Sequence, residues 1–126
     1  MNKQTLNTQN APAAIGPYSQ GVKVGNLIFT SGQLPINSQS GELVADIEGA
    51  TKQSLDNVKA ILESSGSSMD KVVKTVVFLK DMNDFAAMNT VYATYFSTNP
   101  PARSAVQVAR LPKDAIVEIE AIALAE

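Results

Sequence analysis

The chain has 126 residues, a net charge of −2 and a pI of about 5.1, so it carries no basic field that could hold a nucleic-acid backbone. It contains no Cys and no His, which excludes disulfides, thiol nucleophiles, Ser–His triads and conventional zinc sites. Any catalysis therefore falls to carboxylates, Arg, Lys, Tyr, Ser, Thr or backbone groups.

This length predicts a single domain, residues 1–126, able to bury about two-thirds of its unfolded surface. The charged share is 17%, below the typical value of about 25%, and leaves weakly charged surface that a second copy can cover. Met1 to Ala14 is polar and does not read as a signal peptide. The longest apolar run, Ala121 to Ala125, is far too short to span a membrane. A cytoplasmic protein with no membrane partner is the expectation.

Residues 1–20, with Pro12, Gly16 and Pro17, read as an extended arm closing in a loop. Val22–Val24, the pair Gly25-Asn26 and Leu27–Thr30 predict a hairpin, because both turn residues tolerate positive φ. Residues 32–45, with Gly32, Pro35, Asn37 and Gly41, read as a loop. Ile47, Ala50, Leu55, Val58 and Ile61/Leu62 recur at helical spacing, with Asp46 as cap and Gly66 as terminator. The β-branched run Val72 to Leu79 predicts a buried strand. A second helix carries Phe85, Met88, Val91/Tyr92 and Tyr95/Phe96 on one stripe, capped by Asn83 or Asp81 and stopped by Asn99-Pro100-Pro101. Strands near Arg103–Ala109 and Ala115–Leu124 follow, with Leu111–Asp114 expected to join them as antiparallel neighbours. The order is ββ-α-β-α-ββ: an α+β fold with a four-to-five-stranded sheet and two helices on one face. The other face must meet solvent or another subunit.

Alternation assigns faces on the last strands. Val117, Ile119, Ala121 and Ala123 form a wholly apolar row suited to packing beneath helices, leaving Ile116, Glu118, Glu120 and Ile122 opposite. In the preceding strand Ser104, Val106 and Val108 form the more apolar row, leaving Arg103, Ala105 and Gln107. If the two polar rows share a face, Arg103 and the glutamates lie together on the uncovered side. On spacing alone they are more readily a cross-strand charge cluster than a site, and a bulge would break the parity.

Ala102-Arg103-Ser104, Val108 to Asp114 and Glu118-Ile119-Glu120-Ala121 together resemble the C-terminal signature of the Rid (YjgF-type) family of reactive enamine/imine deaminases. Ala11 to Gln20, Thr30-Ser31-Gly32-Gln33, Gln53 to Val58 and Lys80 to Phe85 resemble it too, so the likeness spans nearly the whole chain. The resemblance implies a chorismate-mutase-like (ferredoxin-like) fold and a homotrimer with active sites in the clefts between subunits. It also implies cofactor-free hydrolysis of 2-aminoacrylate and 2-aminocrotonate, or their imine tautomers, to 2-oxo acids and ammonia. Carried over by position, Arg103 grips the substrate carboxylate through paired hydrogen bonds. Glu118 positions and activates water. Tyr18, Ser31 and Asn89 line the pocket, while Gly32 and Ala105 contribute mainly backbone groups. Many relatives have Cys where this chain has Ala105; a main-chain role there survives the change.

The competing reading is a non-catalytic module that binds small carboxylates in the same cleft. Retention of both Arg103 and Glu118 favours an enzyme. RNA cleavage, attached to some relatives, is disfavoured by the acidic pI and by the absence of His and of any basic–aromatic patch.

Overall fold

The computed structural model describes residues 2–126 as six strands and two helices. The strands are β1 (Lys3–Leu6), β2 (Gly21–Val24), β3 (Leu27–Thr30), β4 (Val72–Leu79), β5 (Ala102–Gln107) and β6 (Val117–Leu124). The helices are α1 (Ile47–Glu63) and α2 (Phe85–Tyr95). The strands form one mixed sheet in the order β1-β2-β3-β6-β4-β5.

Local chemistry explains the elements that the sequence announces. Gly25 takes a φ of +59° and closes the β2–β3 hairpin, at no steric cost for a residue without Cβ. The Asp46 carboxylate accepts from the Gly49 backbone N–H at 2.8 Å and so caps α1. Helix α1 buries Ala50, Leu55, Val58, Ile61 and Leu62 against the sheet. The turn beyond its last residue passes through Gly66 at φ +85°. Asp81 accepts from Asn83 N–H and caps the short 3-10 turn Met82–Asp84 that leads into α2; α2 itself has no side-chain cap. Helix α2 ends at Tyr95, ahead of Asn99-Pro100-Pro101.

Two expectations need correction, and one needs detail. The arm at residues 1–20 contains a strand, β1, so the sheet has six strands rather than four to five. The segment after β3 is a loop, but Gln33 and Ile36 make isolated bridges to Ile119 and Leu43. Most consequentially, β5 and β6 are not antiparallel neighbours. Strand β5 pairs in parallel with β4, and β6 lies between β3 and β4, antiparallel to both. The end of β5 and the start of β6 flank the same residue, Leu79, and the 108–116 loop crosses over the end of β4. A short connection therefore mimics a hairpin while a third strand sits between its arms.

This topology fixes the two faces. Thr75 and Val77 lie opposite Ala121 and Ile119 on one side and opposite Arg103 and Ala105 on the other. All six share the helix-covered face. Val76 and Phe78 lie opposite Glu120 and Glu118, and opposite Ser104 and Val106, on the open face. The predicted apolar row of β6 is buried as expected. The β5 expectation is reversed: Val106 is 42% exposed on the open face, while Arg103 runs beneath α2.

Candidate active site

Arg103 is drawn to the helix side by what α2 presents to it. Phe85, Asn89 and Tyr92 fall at i, i+4 and i+7, one stripe of a helix. The guanidinium carbon lies 4.7 Å from the Tyr92 ring centroid and 5.3 Å from that of Phe85. Guanidinium Nη1 donates to Asn89 Oδ1 at 2.7 Å. Among the described residues no carboxylate pairs with Arg103, so the fork keeps its full charge and most of its donors. Ala105 is two residues along the same face, half-buried beside Val77.

A second group assembles across the sheet. Tyr18, Ser31, Gly32 and Glu118 line one cavity of about 800 Å³, together with Gln33, Pro112 and Lys113. Its wall is built by backbone ties. The Ser31 hydroxyl donates to Ser19 O at 2.5 Å, and Ser31 N–H donates to Gln20 O at 2.8 Å. Gln20 is 2% exposed; its amide nitrogen donates to Thr8, Ala11 and Pro12 carbonyls while its oxygen accepts from Thr8 N–H. One buried side chain thus staples the N-terminal arm beside the residues that carry Tyr18.

Glu118 rests directly on Gly32. A Cβ on that glycine would meet Glu118 Oε2 at 2.6 Å. Burial pushes the Glu118 carboxyl above the usual carboxylate range, and the neighbouring Glu120 charge pushes it further. Among the described residues no donor hydrogen-bonds this carboxylate. It is a half-buried base with free lone pairs beside a cavity, suited to holding water. No group of three or more acidic side chains that could hold a metal occurs among the described residues.

The structure therefore brings four of the named residues together and sets Arg103, Asn89 and Ala105 on the opposite face. Gln33, Pro112 and Lys113 are cavity lining that no sequence signal singled out, and Phe85 and Tyr92, expected only as part of the α2 apolar stripe, also face Arg103. The signal for the last two was available, since their stripe includes Asn89. Tyr18 is 53% exposed and Ile15 86% exposed at the cavity, which leaves that wall open.

Fold and site define an α+β protein with an unpaired arginine on one sheet face and an unpaired, partly protected carboxylate on the other. Comparison with known proteins makes the class specific. The chain belongs to the Rid (YjgF-type) family, whose model, described as endoribonuclease L-PSP, matches residues 8–125. It is 56% identical over 124 residues to the 2-iminobutanoate/2-iminopropanoate deaminase of Escherichia coli, covering 96% of this chain and 97% of that one. It is 57% identical over 125 residues to a RutC family protein of Pyrococcus horikoshii, covering 98% and 99%. Among solved structures, the YjgF gene product of E. coli superposes with a TM-score of 0.94 at 56% identity, covering 96% of this chain and 98% of that one. E. coli TdcF with bound serine gives 0.93 at 51% identity, with the same coverage. The fold is chorismate-mutase-like, as expected. Among the described residues no helix is long and apolar enough to cross a membrane.

Proposed function

We propose that this protein is a hydrolytic deaminase of reactive 2-imino and enamine acids, 2-aminoacrylate and 2-aminocrotonate, releasing 2-oxo acids and ammonia. It works as a cytoplasmic homotrimer of one domain each, with no cofactor. The observation that carries the reading is the pair of unsatisfied groups: a guanidinium with free donors and a carboxylate with free lone pairs. They suit a small imine that bears one carboxylate.

In this reading Arg103 holds the substrate carboxylate as the imine tautomer, and Glu118 holds a water at the imine carbon. As the water oxygen bonds to carbon, Glu118 accepts one of its protons and the imine nitrogen takes up a proton from solvent, giving a carbinolamine. Glu118 returns its proton to the amine as the C–N bond breaks, ammonia leaves, and the hydroxyl proton departs to give the 2-oxo acid. Tyr18, Ser31, Gly32, Asn89 and Ala105 shape the pocket.

Within one copy the two groups cannot meet, because the sheet lies between them. The open face carries Leu27, Phe29, Val106 and Leu124, each more than a third exposed, a surface suited to covering by further copies. A cleft between copies then joins the Arg103 side of one chain to the Glu118 cavity of the next. The deaminase relative and the serine-bound neighbour support a small substrate of the amino-acid class.

The test is ammonia release from 2-aminoacrylate generated in place by a serine dehydratase. The purified protein accelerates release over the spontaneous rate, and Arg103→Ala abolishes the acceleration while the assembly persists. Full activity in Arg103→Ala would remove the site assignment. Binding of a 2-oxo acid with no rate effect would instead favour the non-catalytic module.

A further inference from the structure

We infer that Tyr92 is a positioning residue for Arg103, its ring face aiming the guanidinium and its own orientation fixed by Thr75. The inference rests on the proposed role of Arg103 as the substrate-carboxylate clamp. The Tyr92 hydroxyl and Thr75 Oγ1 are 2.7 Å apart in a buried hydrogen bond. Thr75 is also the β4 residue directly opposite Arg103 in the parallel pair. The chain of contact closes on itself: β4 fixes Arg103 through the sheet and fixes Tyr92 through the hydroxyl. Tyr92 is 5% exposed and packs against Phe96 with ring centroids 4.7 Å apart in a tilted pair, so its ring has little freedom to turn.

A free arginine side chain has many rotamers, and orienting its fork before the ligand arrives removes that cost from binding. An aromatic face achieves this without neutralising the charge, because the quadrupole attracts a cation and offers no competing carboxylate. Asn89 completes the cradle with a neutral acceptor, and Phe85 supplies a second ring. The cradle is thus aromatic and amide throughout, and all of the positive charge remains for the ligand. Burial holds the Tyr92 phenol above its usual range, and the Thr75 hydrogen bond and then the Arg103 charge offset that only in part.

The test compares Tyr92→Phe, Tyr92→Leu and Phe85→Leu in the full-length protein. Two readouts are used: KM and kcat for the dehydratase-generated imine, and calorimetric affinity for 2-oxobutanoate. Tyr92→Phe keeps the ring and stays within about threefold of wild type. Tyr92→Leu weakens 2-oxobutanoate binding and raises KM about tenfold, with kcat far less affected. Phe85→Leu, at a partly buried position where leucine keeps an apolar contact with the core, shows the same KM-selective loss at smaller size. Slowed rotation of the 15N-labelled Arg103 guanidinium, visible by NMR in wild type, is lost in Phe85→Leu and Tyr92→Leu. Affinities within twofold of wild type in both leucine variants, or equal damage by Tyr92→Phe and Tyr92→Leu, would overturn the inference. Loss of affinity in the leucine variants of a protein that binds 2-oxobutanoate but never accelerates deamination would uphold the cradle and sink the deaminase reading.

Discussion

Arg103 and Glu118 stand on opposite faces of one sheet, because β4 pairs with both of their strands, placing Thr75 against Arg103 and Phe78 against Glu118. The offset of three along β4 is odd, and odd offsets change faces. Any chemistry that uses both groups must therefore be shared between copies.

Gly32 gives a sharp test of the carboxylate side. In Gly32→Ala the new Cβ would lie 2.6 Å from Glu118 Oε2 and 2.8 Å from its carboxyl carbon. The obstructed group is the end of a flexible side chain, so the fold adapts and the carboxylate moves. Displacement of a catalytic group by about 1 Å costs on the order of 100-fold in rate. Gly32→Ala should therefore lose about 100-fold in kcat while its thermal midpoint stays near wild type. Unchanged turnover would show that the Glu118 position is irrelevant to the chemistry.

The pH dependence follows from burial and from Glu120. A base must be ionised to take a proton from water, and Glu118 ionises above the ordinary Glu value of about 4.3 because of burial first and Glu120 second. The rate should rise with pH along a limb displaced above that value, and Glu120→Gln should move the limb down. The stability consequence has the opposite sense. A carboxyl whose folded pKa is raised binds protons more readily folded than unfolded, so its contribution is most favourable at low pH and is lost as pH rises through the folded pKa. Glu118→Gln should thus be inactive yet at least as stable as wild type at neutral pH, as thermal melts against pH will read out.

How much of this was legible in the sequence depends on the range of the interaction involved. The α1 cap at Asp46, the turn at Gly25 and the alternation of Val117, Ile119, Ala121 and Ala123 are local signals, and each forms as expected. Strand β1 escaped because it is an edge strand in which Leu6 is the one buried residue, so alternation hardly marks it. The partner of β5 escaped because nothing in residues 102–116 encodes that β4 will sit between β5 and β6. The face of Arg103 was reversed for a separate reason: counting apolar residues favoured burying Ser104 and Val106, whereas aromatic rings on α2 stabilise the arginine instead. The residue types of the site were readable from the chain, but their division between two faces required the topology.

Gln20 links stability to the cavity wall. Its four hydrogen bonds hold Thr8, Ala11 and Pro12 against the start of β2. Gln20→Ala leaves buried carbonyls and an N–H without partners, at a cost of about 1–3 kcal/mol. The arm bearing Tyr18 should loosen with it. Chemical denaturation should show the loss, amide exchange should rise for residues 8–20, and KM should increase. Protection in that segment equal to wild type would contradict the assignment of Gln20 as its anchor.

The most direct measurement is activity in mixed assemblies of Arg103→Ala and Glu118→Ala chains. Each variant alone should be inactive. If every site takes its arginine from one copy and its glutamate from another, random 1:1 assembly after co-expression restores about a quarter of the sites. Recovery of about that fraction of wild-type turnover is the predicted result; mixed assemblies as inactive as either parent would contradict a site shared between copies.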